Sequence, residues 1–300
     1  MADGRTRYAG MRSILEVPIL NEKYWSKVPT AAADAIMIDL EDSAVPAAKD
    51  AARAATVEWL ARPEYFGGRQ VIVRVNNLST PWAAADLAAL AGAAGDFLVC
   101  YPKIESADEI AVVQSILASQ GRTGRGLHVM IETARAVMEI RTIAQSDGVV
   151  GLHYGYVDLA ADVGSRPFDD VGLYEPAAYF ARSTISTAAA AYGLFATGGS
   201  LVPDYRDLDK VAALVRSWRD TGFTACIAVS PAHLPLINEI MSPTSDEVAA
   251  ARLLCATYDD AVAQGAPAAV VGGKVVTLPD YRVASLVLAR AGLGPGATPR

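Results

Sequence analysis

The sequence predicts a (β/α)8 TIM barrel with a C-terminal helical lid extension, and three observations carry that reading. Eight short apolar runs are spaced along the chain, helix-patterned stretches separate them, and polar residues gather where the runs end. Several runs (AIMIDL, VIVRV, FLVCY, HVMIE) are apolar almost throughout instead of alternating, as parallel strands covered on both faces require. Eight such runs with helices between them favour a closed barrel over an open doubly wound sheet. A chain of 300 residues with 52% apolar content can fill one core of that size.

In chain order the expected strands are 13–17, 35–40, 71–75, 97–101, 127–131, 149–154, 194–196 and 226–229. Between them, Pro46 stands at an expected first helical turn, in a stretch that ends before Pro63. Ser106 and Glu109 have capping-box spacing ahead of Ile110, Val113 and Leu117. Val137, Ile140 and Ala144 follow Thr133 at helical intervals, and Glu175–Pro176 opens a long alanine-rich helix. Asp207 opens one that buries Val211, Leu214 and Trp218. Beyond Pro231 the pattern changes to helices around 234–240, 243–264 and 281–291, with a short VVGGKVVTL turn before the last. The division expected is therefore a catalytic barrel over 1–230 and a helical lid or oligomerisation extension over 231–300. The final GLGPGATPR is expected to be disordered.

A net charge of −7 argues against a nucleic-acid partner, which requires a basic surface to replace phosphate counterions. The three cysteines, Cys100, Cys226 and Cys255, form no CxxC pair, so neither a disulfide framework nor a thiolate zinc site is expected. No apolar stretch follows the N-terminal arginines and none reaches the length of a membrane span, so a cytoplasmic protein without a signal peptide is expected.

Functional side chains of such a barrel lie where strands end and loops begin. Those positions hold Asp39, Glu41 and Asp42, then Arg74 and Asn76, Lys103 and Glu105, Glu132, and Asp158. Asp42 with Ser43 ahead of Pro46 equally fits a helix cap, and Lys103 with Glu105 reads as an exposed charge pair. Arg74, flanked by Val73 and Val75, requires a carboxylate or substrate anion as partner. Glu132 and Asp158 are one strand–helix–strand step apart and form the best metal pair; two carboxylates suit Mg²⁺, which keeps waters and substrate oxygens as further ligands. His128, His153 and His233 show no ligand spacing; His128 starts a strand and His153 could face the cleft. There is no GxSxG elbow and no GxGxxG order, and a Schiff-base role for Lys103 is less favoured than metal-assisted chemistry.

The same residues carry a resemblance. RSILEVP (12–18), DAIMIDLEDSAVPAAKDAAR (34–53), VIVRVN (71–76), YPKIES (101–106), MIET (130–133) and GLHYGYVDLAADVG (151–164) resemble successive blocks of the citrate lyase β-subunit family, which includes malyl-CoA and citramalyl-CoA lyases within the HpcH/HpaI aldolase/citrate lyase superfamily. The resemblance implies Glu132 and Asp158 as Mg²⁺ ligands, Arg74 as the arginine that binds substrate and steadies an enolate, and Glu41 and Asp42 as the acidic pair beside the metal. Lys103 and Glu132 are expected at the substrate, a small carboxylate or acyl-CoA. The tail beyond Pro231, read as a lid over a neighbouring subunit's site, and its apolar face of Leu253, Leu254 and Val262 predict a homo-oligomer, trimer or hexamer.

Two places depart from the family pattern. Where the family has glycine-lysine ahead of Ile-His-Pro-x-Gln, this chain has Ala225–Cys226 and then Val229–Ser230–Pro231–Ala232–His233. Where acyl-CoA lyases carry a tail aspartate as acid/base, this chain has Thr277, which cannot move a proton near neutral pH as a carboxylate can. The expected function is a Mg²⁺-dependent carbon–carbon lyase or aldolase acting on a small β-hydroxy acyl compound or its CoA thioester. The alternatives are a CoA-independent class II 2-keto-acid aldolase, a thioesterase on malyl-CoA-like compounds, and a non-catalytic ligand-binding relative.

Overall fold

The computed structural model describes Tyr8 and residues 10–120, 125–168 and 178–293. Eight parallel strands close into a barrel: β1 (Ser13–Pro18), β2 (Ala35–Asp39), β3 (Gln70–Arg74), β4 (Phe97–Tyr101), β5 (Leu127–Ile131), β6 (Val149–Tyr154), β7 (Phe195–Gly199) and β8 (Ala225–Ala228). Each pairs with the next, and β8 returns to β1 through Ile14↔Ile227 and its neighbours. Every expected strand is present, and β7 runs on to Gly199.

Successive strand residues point to opposite faces, which explains the two cores. One set (Leu15, Val17, Ile36, Ile38, Val71, Val73) packs outward with the helices. The alternate set (Ile14, Ala35, Met37, Ile72, Met130, Phe195) fills the barrel interior together with Tyr8 and Met11. Because the inward register continues upward by steps of two, Glu16, Asp39, Arg74 and Glu132 follow Ile14, Met37, Ile72 and Met130 on the inner side.

After a single helical turn at Glu22–Trp25, the helices are α1 (Lys49–Leu60), α2 (Ala83–Gly92), α3 (Ala107–Ala118), α4 (Ala134–Met138), α5 (Ile140–Ala144), α6 (Tyr156–Asp162), α7 (Ala178–Ala191), α8 (Leu208–Asp220) and α9 (Leu234–Met241). Pro46 begins a 3-10 turn that leads into α1. The Ser106/Glu109 capping box starts α3, Thr133 caps α4, and Asp207 caps α8, which buries Val211, Leu214 and Trp218. The helix expected after Thr133 is broken at Glu139 into α4 and α5. The expected opening at Glu175–Pro176 lies outside the described residues, as does the expected disordered end beyond residue 293. Although α9 lies past residue 230, its Leu234, Ile237, Ile240 and Met241 pack into the barrel's outer core.

The remaining chain forms α10 (Ser245–Ala263), a hairpin of β9 (Ala269–Val271) and β10 (Lys274–Val276), and α11 (Leu278–Arg290). Gly272 and Gly273 turn the hairpin at φ of 58° and 80°, backbone that glycine adopts without a Cβ penalty. This unit has its own small cores, Ala251, Cys255, Ala284 and Leu288 in one and Tyr258, Ala269 and Val276 in the other. Leu253 and Val262 are exposed as expected of an outer apolar face, but Leu254 is turned inward against both cores. Among the described residues no helix is long and apolar enough to cross a membrane, and all three cysteines are buried and free.

Candidate active site

At the C-terminal ends of the strands a 280 Å³ cavity is lined by Glu16, Asp42, Arg74, Glu132, His153 and Asp158 over an apolar floor of Met130 and Ile227. Another cavity, of 480 Å³, opens beside Gly10, Asp34 and Gly95, away from these strand ends. Catalytic groups of this architecture sit at the C-terminal face, so the smaller cavity is the candidate.

Arg74 organises one side of the cavity. Residues 39 and 74 are register partners on β2 and β3. Arg74 Nε donates to Asp39 Oδ1 at 2.7 Å and Nη2 to Glu16 Oε1 at 3.0 Å, with Glu41 at 3.5 Å and Asp42 at 3.7 Å. Although burial opposes a charge, Glu16 and Asp39 raise the guanidinium pKa well above its ordinary value. The buried arginine has the carboxylate partners it requires. Asp39, not Asp42, organises the loop after β2, accepting the Glu41 and Ser43 amides at 2.9 and 2.8 Å. The capping role considered for Asp42 is thus corrected: its side chain is 68% exposed and leans toward Arg74.

Lys103 and Glu105 do not pair with each other. Lys103 Nζ reaches Glu41 Oε1 at 2.5 Å and lies 3.9 Å from Asp158, whereas Glu105 faces Arg135 at 3.9 Å. Lys103 stands in left-handed backbone (φ 48°), unusual for a residue with a Cβ, and its amide donates to Glu132 Oε1 at 2.7 Å. Neither Lys103 nor Glu41 lines the cavity; they brace its rim. Burial raises the Glu41 pKa, against the pull of Arg74 and Lys103.

Glu132 extends past the end of β5 and is 2% exposed. A Cβ on Gly155 would lie 2.2 Å from its Oε2, so only glycine leaves the carboxylate its place. Burial first, then the charges of Glu41 and Asp158, push its pKa up to about 8. The groups at or beside the cavity include six carboxylates (Glu16, Asp39, Glu41, Asp42, Glu132, Asp158) against three cations, Arg74, Lys103 and, behind the loop after β2, Lys49. A divalent cation beside Glu132 and Asp158 would offset that excess, and this donor chemistry fits Mg²⁺. Among the described residues no three His, Cys, Asp or Glu side chains converge on one point as a zinc-type site requires.

The model of the HpcH/HpaI aldolase/citrate lyase family matches residues 12–231, from the start of the barrel to just beyond β8. The chain belongs to that family. Among its relatives, (3S)-malyl-CoA thioesterase of Cereibacter sphaeroides is 33% identical over 280 residues, covering 93% of this chain and 94% of the relative. The L-malyl-CoA/beta-methylmalyl-CoA lyase of the same species is 28% identical over 288 residues, covering 89% and 90%. A crystal structure of the protein CitE from Mycobacterium tuberculosis, in complex with magnesium, acetoacetate and coenzyme A, superposes with a TM-score of 0.78 at 31% identity, covering 95% of this chain and 99% of that one. Kinship of this breadth makes the chain a lyase-family enzyme.

Three members of the constellation escape sequence reasoning. Glu16 is the one charge in an otherwise apolar strand, a signal that was available. Lys49 looks like an ordinary helix-start lysine, yet it is buried and its ammonium donates to the Leu40 and Glu41 carbonyls and to Asn76 Oδ1. Thr197, held between two histidines, carries no mark in sequence at all.

Proposed function

We propose that this enzyme is a Mg²⁺-dependent carbon–carbon lyase that cleaves or forms a small β-hydroxy acyl compound, as the free acid or its CoA thioester. The observation that carries this reading is the buried Glu132 carboxylate, surrounded by an uncompensated excess of negative charge at the barrel's catalytic face. Glu132 and Asp158 would hold the metal, which when bound supplies Lewis-acid polarisation of a substrate oxygen. Arg74, held in one orientation by Asp39 and Glu16, provides a fixed positive charge against the charge that grows on the substrate as the carbon–carbon bond breaks. Glu41 and Lys103 set the rim's charge, and Asp42, the most exposed carboxylate of the group, lines the cavity beside Arg74. The cavity is at the small end of ligand pockets, which run to roughly 300–1,000 Å³, and suits the reacting acid, with any nucleotide tail lying outside it.

Residues 231–300 would contribute a lid and an association surface in a homo-oligomer. Val270 and Val275, paired across the hairpin, and Val283 and Leu286, one turn apart on α11, are exposed on that unit, apolar side chains that a partner would cover. A second reading, thioester hydrolysis, has its support in the malyl-CoA thioesterase relative. The test is product analysis on malyl-CoA, citramalyl-CoA and free 2-oxo-acid aldols, with Mg²⁺ and with chelator. Magnesium-dependent release of a carbonyl product is expected. Free CoA released with the carbon skeleton intact would establish the thioesterase reading in its place.

A further inference from the structure

His153 of β6 is buried, lines the cavity with Arg74, Met130 and Glu132, and has no part in the chemistry above. Its Nδ1 lies 2.9 Å from the Thr197 hydroxyl, and the Nε2 of His128 lies 2.9 Å from that same oxygen. Strand register builds the row, since residues 153 and 197 are partners across β6 and β7. Below it the Phe195 ring packs against His128 at 4.8 Å and occupies the space a side chain on Gly151 would need. The remaining ring nitrogen of His153, Nε2, has no hydrogen bond within the described residues and is not sealed in the interior. It opens to the cavity that His153 lines.

A threonine hydroxyl has one proton, so Thr197 donates to one imidazole and accepts from the other. Two orders satisfy that count. In one, the His128 ring donates to the Leu152 backbone and His153 donates to Thr197. In the other, His128 donates to Thr197 and Thr197 to His153 Nδ1, which leaves the His153 proton on Nε2, facing the cavity. An acceptor oxygen of a substrate at Nε2 selects the second order. Burial keeps both rings neutral, with pKa values well below the ordinary histidine range.

We infer that His153 is a specificity-determining residue whose Nε2–H donates a hydrogen bond to an acceptor oxygen, carbonyl or carboxylate, of a small oxo-acid substrate. The inference rests on the reading that substrate occupies this cavity, and not on which bond is broken there. Thr197 and His128 act through His153 as positioning residues.

Calorimetric titration with Mg²⁺ alone, then with acetoacetate in the presence of Mg²⁺, tests it. In His153→Leu, acetoacetate affinity should fall about 10-fold, the scale of one neutral hydrogen bond, with Mg²⁺ affinity unchanged. His153→Gln keeps an N–H donor and should recover most of the loss. The protein has only three histidines, so ¹⁵N-histidine spectra resolve each ring. With acetoacetate bound, His153 should read as the Nε2–H tautomer, and Thr197→Val, but not Thr197→Ser, should disturb it. Unchanged acetoacetate affinity in His153→Leu, equal loss of Mg²⁺ and acetoacetate, or a His153 proton on Nδ1 in the bound protein would each overturn the inference. Wild-type protein that binds Mg²⁺ and acetoacetate in the expected manner but turns over no substrate would remove the lyase reading and leave this one standing.

Discussion

Arg74 and Glu132 present opposite electrostatic problems at neighbouring strand ends. Arg74 is over-supplied with counter-charge, and its value to the site is a direction fixed by Asp39 and Glu16. Arg74→Lys should therefore lower kcat/KM by about 10²–10³-fold, because a point ammonium cannot hold both carboxylates in the fork's geometry. Near-wild-type kinetics in that variant would make Arg74 purely structural. Glu132 lacks counter-charge, and its folded pKa of about 8 lies above an unfolded value of about 4.3. The metal-free folded state thus binds an extra proton between those values. The stability this group contributes is complete below the lower one and is lost as pH rises through the upper one. Mg²⁺ needs the carboxylate, so the rise in Tm on adding Mg²⁺ should grow with pH across that window. A pH-independent magnesium effect would remove Glu132 from the metal site, as would unaltered Mg²⁺ affinity in Glu132→Gln.

Elements place these groups through backbone as much as through side chains. The turn from β6 into α6 passes so close to Glu132 that Gly155→Ala would set a Cβ 2.2 Å from its carboxylate. That variant should lose Mg²⁺ binding as fully as Glu132→Gln while circular dichroism still reports a folded barrel; retained binding would show that Glu132 has room to move. In the extension, Thr277, where the sequence resemblance puts an aspartate, caps α11: its amide and hydroxyl both donate to Asp280 Oδ2 at 2.8 Å. Thr277→Asp exchanges a hydroxyl donor for a second carboxylate beside Asp280. The expected outcome is a small loss of stability, on the order of 1 kcal/mol, and no gain on malyl-CoA or citramalyl-CoA. A gain of about 10²-fold or more would show that only the acid/base group is missing.

At the scale of the molecule, the barrel and the extension bury separate cores. The Arg219–Glu247 ion pair bridges α8 and α10. An association surface on the extension predicts concentration-dependent assembly, with Val275→Glu and Val283→Glu shifting sedimentation toward monomer and leaving barrel stability unchanged. Monomeric wild-type protein at all concentrations would remove the surface from consideration.

The sequence by itself determined the barrel, because strands buried on both faces must be apolar at nearly every position and the eight such runs are short, separate and ordered. It also determined where chemistry sits, since Arg74 and Glu132 break those runs at the end where side chains leave the core. Tertiary structure alone decided the partners. Asp39 displaced Asp42 at the loop, Lys103 crossed to Glu41, and His128, Thr197 and His153 joined into one row. Inward or outward placement follows from a local period of two. Which inward residues meet depends on the register between strands and on the closure of β8 onto β1, and no local pattern encodes either.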